Sequence, residues 1–237
     1  MSQVADTSSG VISRGTAKEL VVARLREQIV SGELPPGEHL NLRVLTEQLG
    51  VSMTPIREAI EQLIAEGLIR SDRYKGAWVT ELSAEEYQEV YLSRIRLEGL
   101  AHRLGAEQID AAGCNELEEC LTRMSAASAA GDVDEFIRHD RQYHQVIFEA
   151  SGRESLRRRI MALRYAAERY TRAVFSLPVG GMVDTINSHH GILAACRKHD
   201  GAEAERLITE DMQMTYESFA QSFSNNDGND LGKVSDG

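Results

Sequence analysis

"VSMTPIREAI", residues 51–60, places Ser52 and Thr54 ahead of a helical apolar pattern, Pro55 in its first turn and Arg57 beside Ile56. Ser and Thr are good helix N-caps, and proline is tolerated where a first-turn N–H has no partner. Ile56 and Ile60 stand four apart, with Leu63 and Ile64 a turn further on, so this helix has one apolar face. That leaves Arg57, Met53 and the two hydroxyls at the helix start free to meet something else. A guanidinium can fork onto a guanine edge, and a hydroxyl at a helix N-terminus can hold a phosphate oxygen. The stretch reads as a DNA-recognition helix in a chain of formal net charge -11.

The acidity is uneven. Residues 1–82 carry 9 Lys+Arg against 11 Asp+Glu, and the remaining residues carry 17 against 26. A near-neutral N-terminal module can still turn a basic edge toward phosphate. At 237 residues the chain is long enough for two modest domains. Cys114, Cys120 and Cys196 form no CxxC pair, which predicts reduced thiols and no disulfide framework. No apolar run approaches the roughly 18 residues of a membrane span, and the first residues lack a signal-peptide pattern. A soluble cytoplasmic protein is expected, with no membrane partner.

Outward from 51–60, "AKELVVARLREQIVSGELPPG" predicts a helix stopped by Gly32 and the cluster Pro35, Pro36, Gly37. "NLRVLTEQLG" predicts a short helix ending at Gly50 in a left-handed cap. After Gly67, "LIRSDRYKGAWVTEL" reads as a hairpin with its polar centre at 71–76 and Trp78 packed in its core. Helix, helix, turn, helix, hairpin is the order of a winged helix-turn-helix. From Ser83 the pattern stays helical, with breaks near 110–113, 130–132, 151–153, 178–181 and 199–201 that delimit six helices. The organisation expected is a flexible tail at 1–15, a winged helix-turn-helix at 16–82, a helical domain at 83–223 and a polar, disordered tail at 224–237.

The blocks "SGELPPG", "LGVSMTPIREA" and "EGLI", in this order and spacing, resemble the N-terminal module of GntR-family transcription regulators. The helical remainder resembles the FCD ligand-binding domain of the FadR-type branch, and the resemblance covers residues from about 16 to 222. It implies a mainly α protein, a homodimer on a two-fold symmetric double-stranded operator, and a metabolite-responsive regulator, as a repressor, rather than an enzyme. It further implies DNA contacts from Arg43, Ser52, Thr54, Arg57, Lys75 and the wing-tip Gly76. Met53 departs from the family, which commonly carries arginine there, and a thymine methyl would suit it better than a guanine edge. The bland alternative for Arg57 is an i,i+4 pair with Glu61.

In the second half, Asp140 and His144 are four apart and share one helix face. His189 and Asp211 are equidistant from Asp200 in the last helical hairpin, so they reach the same height on facing helices. Similarity to the metal-binding FCD subgroup implies that Asp140, His144, His189 and Asp211 form a site for a divalent metal such as Zn, Mn or Ni, with Asp211 standing where the family has a third histidine. The extra carboxylate hardens the ligand set. The resemblance also points Arg94 into the cavity toward a carboxylate-bearing metabolite, although an i,i+4 pair with Glu98 accounts for it equally well. His102, His139 and His199 show no pattern and are assigned no role. Two alternatives are a metal-dependent enzyme fused to a DNA-binding module, and a regulator whose metal site has decayed into an apolar pocket.

Overall fold

The computed structural model describes residues 16–72, 76–81, 83–175 and 181–225. The tail at 1–15, Lys75 and all but the first two residues of the tail read at 224–237 lie outside them. Twelve elements follow in order among the described residues: α1 (Ala17–Ser31), β1 (His39–Leu40), α2 (Leu42–Leu49), α3 (Met53–Ala65), β2 (Ile69–Asp72), β3 (Gly76–Val79), α4 (Ala84–Ala106), α5 (Ala111–Ala130), α6 (Val133–Ala150), α7 (Glu154–Phe175), α8 (Met182–Arg197) and α9 (Gly201–Asn225). The six helices expected after Ser83 are α4 to α9. The last of them runs on to Asn225, past the boundary drawn at 223.

Local chemistry explains where the helices begin and stop. α1 opens on a capping box, in which Thr16 Oγ1 accepts from Glu19 N–H and the Glu19 carboxylate accepts from Thr16 N–H. Gly32, Gly50 and Gly131 end α1, α2 and α5 in the left-handed conformation, with φ of 81°, 64° and 69°. Ser83, Asp110 and Asp132 each accept a first-turn N–H of the helix that follows.

The N-terminal core joins Val21, Val22, Leu25 and Ile29 of α1 to Leu45 of α2, Ile56, Ala59, Ile60 and Leu63 of α3, and Leu40, Ile69, Ala77 and Val79 of the strands. The expected hairpin is a three-stranded antiparallel sheet in the order β1-β3-β2. The two-residue β1 pairs His39 with Trp78 and Leu40 with Ala77. A strand this short has no periodicity to read, so only the β2–β3 pair was legible. Trp78 corrects the expectation of a core residue. Ala77 and Val79 point inward, so by strand alternation Trp78 takes the outer face, half-buried, with its ring centroid 5.1 Å from that of His39.

The helical domain is a bundle in which α4 lies against α6, α7 and α9, while α5 packs on α6 and α8. Its main core runs from Ile95 and Ala106 through Leu117, Leu121, Met124, Phe136, Tyr143 and Ile147 to Ile192, Leu193, Ala204 and Ile208. α7 reaches back to the first domain. Tyr165 packs on the N-terminal core, and the Arg26 guanidinium lies 4.1 Å from its ring centroid. Arg169 Nη1–H donates to the Thr80 carbonyl at 2.7 Å.

α4 and α6 approach closely at Gly105, where an added Cβ would sit 2.1 Å from the Ile147 carbonyl oxygen. In an ordinary helix interior Gly→Ala gains about 1 kcal/mol. Here backbone would have to move, and overpacking of this kind costs about 1–3 kcal/mol. Gly105→Ala is therefore expected to lower the urea unfolding midpoint despite its better helix propensity, and a raised midpoint would show that the two helices are not held at this distance.

Candidate DNA interface and candidate metal centre

α3 buries Ile56, Ala59, Ile60 and Leu63 and leaves Thr54, Arg57, Glu58 and Glu61 exposed on the opposite face. Ser52 is the N-cap residue but makes no side-chain cap bond, so its hydroxyl and the first-turn N–H groups are not committed to each other. Arg57 forms no ion pair with Glu61; among the described residues its guanidinium has no protein partner. Met53 is half-buried and Arg43 is exposed in the first turn of α2. Gly76 opens β3 at φ 114°, a backbone conformation that favours glycine, and a Cβ there would also push aside the exposed His39 ring, whose Nε2 lies 2.7 Å away. Arg43, Ser52, Thr54 and Arg57 are thus exposed, while Lys75 lies outside the described residues.

In the helical domain the structure brings three of the four expected ligands together. Asp140 and His144 from α6 and His189 from α8 are buried, with ligand atoms within 4.8 Å of one another. His189 Nε2 lies 3.1 Å from both Asp140 Oδ1 and His144 Nε2, and His144 Nε2 lies 3.4 Å from Asp140 Oδ1. Ligands bound at about 2.0–2.1 Å in a tetrahedral shell stand about 3.3–3.4 Å apart, close to these separations. Two ring nitrogens 3.1 Å apart cannot both carry a proton between them, so at least one lone pair faces the Asp140 carboxylate. A concentration of electron pairs in a buried place suits a cation.

Asp211 stands apart from the other three. It reaches the same cavity from α9 but does not fall in the compact trio. Equal height in the hairpin brings its carboxylate within the field of His189, and it also hydrogen-bonds Ser188. Burial pushes its carboxyl up to about 6, with His189 pulling against that shift and Asp140 adding to it. Burial likewise penalises the Asp140 carboxylate, but His144, His189 and Arg164 outweigh it and hold the group well below the usual range. The same burial, with Arg164 near, drives the His144 ring well below its ordinary value.

Around the trio stands an ion network with little sequence signal. Glu98, fully buried, accepts from Arg94 Nε–H at 2.7 Å and from Arg164 Nη1–H at 2.7 Å. Arg164 donates its other arm to Asp140 Oδ2 at 2.8 Å. Burial would raise the Glu98 carboxyl, but Arg164 and Arg94 bring it down to about 2. Arg94 makes the i,i+4 pair with Glu98 and also lines the cavity. His102, given no role from sequence, is buried with Nδ1 2.8 Å from the Glu98 carbonyl and Nε2 3.0 Å from His144 Nδ1. Burial lowers its ring to about 4. The one available clue was helical spacing, since positions 94, 98 and 102 share a face of α4. The cavity is about 50 Å³, enough for a few water molecules, and is lined by Tyr91, Arg94, Asp140, His144, Arg164 and Asp211 among others.

A family model described as "Bacterial regulatory proteins, gntR family" matches residues 17–79, and the FCD domain model matches residues 89–214. The chain belongs to the GntR family, with an FCD domain, and is a DNA-binding transcriptional regulator with a C-terminal effector-binding domain rather than an enzyme. Among its relatives is the regulator McbR of Escherichia coli, 27% identical over 190 residues, which span 80% of this chain and 86% of that one. The solved structure of E. coli McbR/YncC superposes with a TM-score of 0.77 at 25% identity, covering 88% of this chain and 99% of the other. YdhC of Bacillus subtilis is 34% identical over 56% of this chain and 60% of its own length. The gluconate operon transcriptional repressor of Bacillus licheniformis is 34% identical over 57% of this chain and 56% of its own. No helix among the described residues is long and apolar enough to cross a membrane.

The raised Asp211 carboxyl has a signed consequence in metal-free protein. Its folded value, about 6, lies above the ordinary 3.8, so its contribution is fully present below pH 4 and is lost as pH rises through 6. Wild type should therefore lose roughly 2 kcal/mol relative to Asp211→Asn between pH 4 and pH 7, by the usual conversion of pKa shift to free energy. Urea unfolding of both proteins in chelator across that range checks it; parallel pH profiles would place Asp211 in water.

Proposed function

We propose that the protein is a metal-dependent, metabolite-responsive repressor, working in the cytoplasm as a homodimer on a two-fold symmetric operator. A small organic acid, bound beside a divalent cation on Asp140, His144 and His189, releases it. The observation that carries this reading is the convergence of two imidazoles and a carboxylate in a buried, charged pocket. Neutral imidazoles and one carboxylate suit Zn, Mn or Ni. Asp211, across the same cavity and largely ionised at neutral pH, would supply a second negative charge to the cation.

Charge balance gives the class of effector. Without a cation, Glu98 and Asp140 offset Arg94 and Arg164, and Arg141 offsets Glu168. A divalent ion adds two positive charges, of which ionised Asp211 cancels one. An anion completes the set, and Arg94 offers it a guanidinium fork. The charged lining argues against the apolar acyl or aromatic ligand of a decayed site. The cavity's small volume means that a metabolite must displace water and move side chains, the differential interaction through which a ligand shifts a conformational equilibrium. One relative is named as the repressor of a gluconate operon, which accords with a carboxylate signal.

For the DNA side, Arg43, Ser52, Met53, Thr54, Arg57 and Lys75 are the proposed contacts, with Gly76 letting the wing approach. Arg57, exposed and without a partner among the described residues, is proposed to read a base edge. The experiment uses a selected operator and tag-free protein with chelator, with zinc, and with zinc plus a panel of organic acids. Arg57→Ala should weaken operator binding about 10- to 100-fold, the roughly 1–3 kcal/mol of a bidentate base contact, with circular dichroism unchanged. An active acid should weaken wild-type binding only when zinc is present. Unchanged affinity in the variant removes Arg57 from the interface, and an acid response that is equally strong in chelator removes the metal from the mechanism.

A further inference from the structure

We propose that His102 is a positioning residue that sets the tautomer of His144, so that Nε2 of His144, and not Nδ1, presents its lone pair to Asp140 and His189. A backbone carbonyl can only accept a hydrogen bond. Glu98 O lies 2.8 Å from His102 Nδ1, so Nδ1 carries the hydrogen of the His102 ring. A neutral ring has one such hydrogen, which leaves His102 Nε2 as an acceptor. Its neighbour at 3.0 Å is His144 Nδ1, which must then be the donor. With its hydrogen spent on Nδ1, the neutral His144 ring turns a bare Nε2 toward His189 Nε2 at 3.1 Å and Asp140 Oδ1 at 3.4 Å.

The reverse order fails on geometry. If His102 donated from Nε2, its unprotonated Nδ1 would press a lone pair against the Glu98 carbonyl oxygen. A doubly protonated His102 would make both bonds, but the nearest carboxylate is already used: Arg94 takes Glu98 Oε1 and Arg164 takes Oε2. No anion is left to offset an imidazolium at a residue with 0% exposure. The ring is fixed sterically as well, lying edge-on to His144 and to Phe148 at 5.1 and 5.4 Å between centroids. His189 has no such support, because its buried Nδ1 has no hydrogen-bond partner among the described residues. Of the two histidine ligands, only His144 is oriented by a chain of hydrogen bonds ending in the backbone.

The tautomer follows from the metal-free structure; only its effect on affinity rests on the cation-site reading. Outer hydrogen bonds of this kind fix ring orientation and raise ligand basicity, and their loss costs about 10- to 100-fold in metal affinity. The test has two arms. In metal-free protein labelled with 15N-histidine, two-bond nitrogen–proton correlations at pH 7 should show His144 protonated on Nδ1. His144 protonated on Nε2 in wild type would overturn the proposal whatever the protein does with zinc. In the second arm, chelator competition should find zinc bound 10- to 100-fold more weakly by His102→Leu, which fills the space without an acceptor. His102→Gln, whose Oε1 can accept from His144 Nδ1–H, should recover part of that loss. Equal zinc affinity in wild type and His102→Leu, with both folded by circular dichroism, would also overturn it. Wild-type protein that shows the Nδ1–H tautomer but binds no zinc would sustain the positioning role and sink the cation-site reading.

Discussion

The fully buried carboxylate of Glu98 is the group on which the C-terminal domain depends. It stands on α4 with Arg94 on one oxygen and Arg164 of α7 on the other, and Arg164 continues to Asp140 of α6. Three helices are thereby tied through one network. Burying four charges is expensive, and an apolar replacement of similar volume is often no worse for stability, so the network is better explained by what it positions than by what it contributes. It holds one oxygen of Asp140 while the other faces His144 and His189. It places two guanidiniums beside a cavity, and it occupies the carboxylate that would otherwise charge His102.

The same helices carry that arrangement toward the DNA-binding module. Residues adjacent in sequence face different ways. Asp140 points toward His144 and His189, and Arg141 reaches Glu168 and lies 5.6 Å from the Tyr165 ring. Arg164 holds Asp140 and Glu98, and its neighbour Tyr165 carries Arg26 of α1, whose guanidinium is bidentate to Glu66 at the C-terminal cap of α3. Arg169 and Tyr170 of α7 grip Thr80, Ser83 and Glu86 in the connection between the domains. Through Arg164, Asp140 is thus tied to α7, the helix that also packs on the DNA-binding module.

Much of this was legible in sequence, for identifiable reasons. Helix breaks at Gly32, Gly50 and Gly131 could be read because each takes a conformation that costs other residues more. Asp140 and His144 could be read because a helix puts i and i+4 on one face. Distances across helices could not: Arg164 and Glu98 are 66 residues apart, and no spacing rule links them. Equal height in the hairpin put Asp211 at the same cavity, but height alone does not say whether a side chain joins the compact trio. β1 was missed because two residues carry no period, and Trp78 was given the wrong face because an aromatic in a short strand reads as core unless its inward neighbours are counted.

The claim at the centre of this account is that Asp140, His144 and His189 hold a divalent cation, and X-ray absorption on the zinc-loaded, tag-free protein tests it most directly. The account predicts a first shell of nitrogen and oxygen only, at about 2.0–2.2 Å, with the outer-shell scattering of two imidazoles at one zinc per chain. A sulfur shell at about 2.3 Å would place the metal on cysteine, and an oxygen shell without imidazole scattering would place it on surface carboxylates; either result would contradict the account.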